Sequence, residues 1–61
     1  MARIVLQDGE VEVPEGSTIE QAMRGSGRTP DSYIYVRDGA PVPMDTVPDA
    51  DVRALRVASG G

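Results

Sequence analysis

Two Asp-Gly dipeptides, Asp8-Gly9 and Asp38-Gly39, each follow a run of apolar residues and precede a second, shorter one. Asp-Gly in that setting is a strong local signal for a hairpin, because both residues tolerate the positive φ angles of a type I′ turn. Before the first lies Ala2-Arg3-Ile4-Val5-Leu6-Gln7, a strand with Ile4 and Leu6 on one face. After it, Glu10-Val11-Glu12-Val13 alternates with the valines inward, and Pro14 ends the strand because it has no N–H for the ladder. The second hairpin joins Tyr33-Ile34-Tyr35-Val36 to a short return, Ala40-Pro41-Val42-Pro43. Its two prolines confine that return to a sheet edge, where they also discourage aggregation.

Between the hairpins, Ser17-Thr18-Ile19-Glu20 fits a capping box with Ser17 as N-cap and Glu20 reaching back. Ile19, Ala22 and Met23 form a narrow apolar stripe at helical spacing, and Gly25 and Gly27 stop the helix. So short a helix needs a sheet to lie on. Thr29-Pro30-Asp31 reads as loop. Met44 to Asp51 reads as an acidic loop whose lone aliphatic, Val47, is expected to plug the core. A last strand runs from Asp51 to Ala58. Strand, strand, helix, strand, short strand, strand predicts an α+β roll, with one short helix packed across a mixed sheet of four to five strands.

Sixty-one residues make one domain, which buries only about 60% of its unfolded surface. Cys and His are both absent. That removes disulfides, thiol nucleophiles, thiolate metal sites and the commonest general base, and argues against an autonomous enzyme. No apolar run approaches the roughly 20 residues of a transmembrane helix, and Ala2 to Leu6 is too short for a signal peptide, so the expected compartment is the cytoplasm. The net charge of −4 argues against nucleic acid, which wants clustered cations on one face. All six cations are Arg. A chain without lysine offers no ε-amine and cannot be its own acceptor in amide-linked side-chain conjugation.

The chain ends Val57-Ala58-Ser59-Gly60-Gly61. Two residues without Cβ atoms explore nearly all of φ/ψ space, so this tail is able to extend and thread a narrow channel. Its carboxylate, with a reference pKa of roughly 3.5, is ionised at neutral pH and suited to attack the α-phosphate of ATP.

This order of elements with a terminal diglycine resembles the ubiquitin-like β-grasp fold, and within it the ThiS and MoaD sulfur carriers, the ubiquitin-related modifier and the small archaeal modifier proteins. The matching stretches are Val13-Pro14-Glu15-Gly16-Ser17-Thr18-Ile19, Val36-Arg37-Asp38-Gly39-Ala40-Pro41-Val42-Pro43, and Val52-Arg53-Ala54-Leu55-Arg56-Val57-Ala58-Ser59-Gly60-Gly61. They span essentially the whole chain. The short helix and a core without Phe or Trp depart from the pattern. The resemblance implies a single β-grasp domain over residues 1–58 and a flexible tail over 59–61. It implies a substrate or carrier protein and not an enzyme. A ThiF/MoeB-type activating enzyme would use ATP to adenylate the Gly61 carboxylate, with Gly60 and Gly61 giving steric access. The acyl adenylate would then become a thiocarboxylate for sulfur transfer, in tRNA thiolation, molybdopterin or thiazole synthesis, or pass to a target lysine as an isopeptide. No bound cofactor or metal, no membrane and a monomer are expected.

The third strand offers two registers. Hydrophobicity alone turns Ile34 and Val36 inward. The family pattern, counted back from the diglycine, turns Val52 and Ala54 inward and Leu55 and Val57 outward; counted back from Asp38-Gly39, it turns Tyr35 inward. A large Tyr35 opposite a small Ala54 conserves core volume, which favours the second register. Ile34, Val36, Leu55 and Val57, with Val5, would then form an apolar patch on the open sheet face, a candidate partner interface. Arg3 and Arg53 would flank it as a rim. In the other register these aliphatics are simply core.

Asp45, Asp49 and Asp51 lack the glycine and distal glutamate of a calcium loop, so a solvated acidic loop is expected. Gly25-Ser26-Gly27-Arg28 ends a helix instead of opening one, which is the wrong end for a phosphate. Three functional classes remain: a sulfur carrier, a dedicated protein modifier, and a non-conjugating interaction module with an accidental glycine end.

Overall fold

A computed structural model describes residues 2–57. Strands β1 (Ala2–Leu6) and β2 (Gly9–Val13) come first, then helix α1 (Ile19–Gly25) and a 3-10 turn (Pro30–Ser32). Strands β3 (Tyr33–Arg37), β4 (Ala40–Val42) and β5 (Val52–Arg56) follow. The five strands form one mixed sheet in the order β2-β1-β5-β3-β4, at the upper end of the expected strand number. β5 lies in the middle, parallel to β1 and antiparallel to β3. The proline-bearing return β4 takes an edge, as its missing N–H groups require. The protein is thus a small α+β fold with one helix and a five-stranded mixed sheet.

The core is built from alternate strand residues and the helix stripe. Ala2, Ile4 and Leu6 from β1, Val11 and Val13 from β2, Val52 and Ala54 from β5, and Ile19, Ala22 and Met23 from α1 are all buried. Tyr35 joins them at 3% exposure, directly opposite Ala54, so the register with tyrosine inward is the one adopted. A small residue across the ladder leaves room for the ring in a thin core. Tyr33, Val42 and Met44 pack against this cluster from its margin. Val47 does not plug it. The side chain is 51% exposed, and the apolar role in this loop falls to Met44.

Several local readings shift by a residue or two. In the second hairpin, Asp38 and Gly39 have φ of 53° and 79°, the positive pair that a type I′ turn requires. In the first, Leu6 pairs with Gly9, so the turn residues are Gln7 and Asp8 and not Asp8-Gly9. Either register keeps the same residues inward, because the two differ by a two-residue shift in pairing. Inside-outside alternation therefore cannot separate them.

The helix cap moves from Ser17 to Thr18. Ser17 is held as the fourth residue of a turn, its N–H donating to the Pro14 carbonyl at 3.0 Å, with Gly16 at φ 84°, a type II geometry. Thr18 accepts from the Gln21 N–H at 3.1 Å, and the Gln21 side chain accepts from the Thr18 N–H at 2.9 Å. Glu20, freed from the box, pairs with Arg24 at 3.0 Å. The remaining first-turn donors are met by the loop after β4: Ile19 N–H reaches the Thr46 carbonyl at 3.1 Å and Glu20 N–H the Met44 carbonyl at 2.9 Å. That loop is thereby tied to the helix by its backbone, with Met44 against the core and Val47 in solvent.

The helix ends in a Schellman motif. Gly27, at φ 84°, donates to the Arg24 carbonyl at 3.1 Å, and Arg28 donates to the Met23 carbonyl at 3.0 Å. Pro30, read as loop, instead opens the 3-10 turn and is fully buried.

Candidate functional site: the open sheet face

The helix covers one face of the sheet and leaves the other open. By the period-two rule, residues flanking the buried ones must point to that open face. Glu10, Val5, Arg53, Val36 and Pro41 form one row across all five strands, each paired directly with the next. Leu55 and Ile34 form the adjoining row. Ile34 is 50% exposed, Leu55 49% and Val57 41%, whereas Val5 and Val36 are half-buried. The structure thus brings Val5, Ile34, Val36 and Leu55 onto one surface. Val57 lies just past β5, its N–H donating to the Ser32 carbonyl at 2.8 Å. Gly60 and Gly61, like the expected tail over 59–61, lie outside the described residues.

The electrostatics of this face differ from the expected rim. Arg3 does sit to one side, 3.4 Å from Glu10. Arg53 does not: it stands on the central strand with Val5 on one flank and Val36 on the other. Alternation already contains this placement, since an outward Leu55 forces an outward Arg53, but reading the two arginines as a border hid it.

The other candidate sites have local occupants. Asp49 pairs with Arg37, whose hydrogen bond and charge lower the Asp49 pKa. Asp51 accepts the Arg3 backbone N–H at 3.1 Å. Among the described residues there is no group of three acidic or other metal-binding side chains. The N–H groups of Ser26, Gly27 and Arg28 are taken by helix carbonyls, leaving no cradle for an anion. Among the described residues no helix is long and apolar enough to cross a membrane.

No protein-family model matches the chain. It is 38% identical over 53 residues to an uncharacterized protein of Archaeoglobus fulgidus, an alignment covering 85% of this chain and 78% of that protein. The chain belongs to the same family as that archaeal protein. The aligned length takes in most of the fold, so the family shares a whole small domain and not a local motif.

Proposed function

We propose that this is a ubiquitin-like β-grasp carrier or modifier whose working group is the Gly61 carboxylate. Two observations support the reading: a diglycine only three residues beyond Val57 in the sequence, and a five-stranded α+β sheet whose central strand is β5. Nothing with a Cβ at positions 60 and 61 obstructs an approaching active site. A partner enzyme of the ThiF/MoeB type would bind the open face and receive the tail. A carboxylate oxygen attacks the α-phosphorus of ATP and pyrophosphate leaves, giving an acyl adenylate. A sulfur nucleophile then displaces AMP to leave a thiocarboxylate, or a lysine amine displaces it to form an isopeptide. The chain itself supplies no catalytic group and holds no cofactor; ATP belongs to the activating enzyme.

Intact mass tests this directly. Incubation with the activating enzyme, ATP and a sulfur source should add about 16 Da, the difference between sulfur and oxygen, if the chain is a carrier. Lysine-linked adducts in cells mark a modifier. Removal of Gly60 and Gly61 should abolish both chemistries and leave the fold intact. Unchanged thiolation or conjugation in that truncation, or a native form not ending at Gly61, overturns the proposal. No product in either assay with the intact chain leaves a non-conjugating interaction module.

A further inference from the structure

The open face has a cation at its centre, Arg53, which among the described residues makes no ion pair. Arg3, Arg24 and Arg37 each have a carboxylate within 4.0 Å; among the described residues Arg28, Arg53 and Arg56 have none, and of these three it is Arg53 that stands in the row across the open face. Asp38 and Asp51 line the same surface concavity as Arg53, yet neither is within 4.0 Å of its guanidinium. Glu10 pairs with the Arg3 side chain, and Asp51, just before β5, accepts the Arg3 backbone N–H. Arg53 is exposed, with Val5 and Val36 as its cross-strand neighbours and Leu55 two residues on. A partner that covers these aliphatics must also cover the guanidinium. Desolvating an arginine without a partner is strongly unfavourable, whereas a carboxylate meets its planar fork with two parallel hydrogen bonds.

We infer that the protein docking on this face carries an aspartate or glutamate within an apolar patch, positioned to meet Arg53. This rests on the carrier or modifier reading, in which the first such partner is the activating enzyme. Arg53 is a recognition residue there: it holds the carrier and takes no part in the chemistry at the tail.

The test is ATP–pyrophosphate exchange by a ThiF/MoeB-type enzyme from the same genome, titrated with the full-length chain. Arg53→Met keeps most of the stem and removes the charge, leaving the partner's carboxylate buried and unpaired. Its KM for the chain should rise about thirtyfold or more, with kcat changed by less than about twofold. Arg53→Lys should recover part of the loss, and Leu55→Ser should raise KM without a change in thermal stability. A KM for Arg53→Met equal to or below wild type overturns the inference, since a head left in solvent is dispensable and methionine adds apolar contact. An unchanged KM for Leu55→Ser overturns the docking face itself. Absence of exchange with the wild-type chain sinks the carrier reading and this inference together; exchange with Arg53 indifferent sinks this inference alone.

Discussion

The Tyr35 hydroxyl donates a buried hydrogen bond to the carbonyl oxygen of Pro30 at 2.9 Å. It links the middle of β3 to the 3-10 turn that leads into that strand, and so lets a phenol sit in an otherwise apolar core. Burial, with smaller contributions from Tyr33, Asp31 and Glu20, pushes the Tyr35 pKa from 10.0 up to about 12. The folded state thus keeps a proton that the unfolded chain releases. The associated stability is complete below pH 10 and declines as pH rises towards 12. Tyr35→Phe should cost about 1 kcal/mol, because the Pro30 carbonyl retains the Tyr33 N–H. It should also remove this alkaline decline, as read from urea midpoints between neutral pH and the alkaline end of the range.

The helix start separates two neighbouring hydroxyls. Thr18→Ala removes the acceptor for the Gln21 N–H and should cost about 1 kcal/mol. Ser17→Ala removes a hydroxyl that caps nothing and should stay within about 0.5 kcal/mol of wild type. Equal losses in urea denaturation would contradict the cap at Thr18.

Two glycines two positions apart should respond with opposite signs. Gly27 holds φ 84°, a region that penalises any Cβ, so Gly27→Ala should cost about 1–2 kcal/mol. Gly25 is helical and a Cβ there meets open space. Gly25→Ala should therefore raise stability, by up to about 1 kcal/mol. Thermal unfolding of the pair decides it.

The missing lysine sets the topology of any conjugate. Six arginines and no lysine mean that this chain, in the proposed role, would donate its carboxylate but offer no side-chain amine in return. Barring attachment at the amino terminus, each modified target lysine should carry a single copy. Peptide mapping that finds a ladder joined through an internal side chain of this protein would overturn that.

Residue alternation made most of this architecture readable. Ile4, Leu6, Val11 and Val13 turn inward because a half-buried strand admits only one assignment once its polar positions are fixed. β3 lacked that constraint, since both of its faces are apolar, and the tyrosine-inward register came from the resemblance's pattern together with pairing its volume with Ala54. Features invisible to alternation were the least legible. The cap at Thr18 goes with the turn at Pro14 that holds Ser17, and the loop carrying Val47 is tied to the helix start through the Met44 and Thr46 carbonyls, long-range partners that a local pattern does not encode. The open face was legible residue by residue; the solitary charge at its centre was not, because ion pairing is a property of the assembled sheet.

The two hairpins share no strand pairing with each other except through β5. Residues 52–56 are therefore a keystone, the last of the described strands in chain order and the one that joins the two hairpins. While a ribosome still shelters them, neither the paired rows of the open face nor the hydrogen bond that anchors Val57 is complete. Under the proposed function, an activating enzyme that grips that face would engage only chains in which β5 is already in place, so fragments lacking it would be screened out by geometry before any ATP is spent.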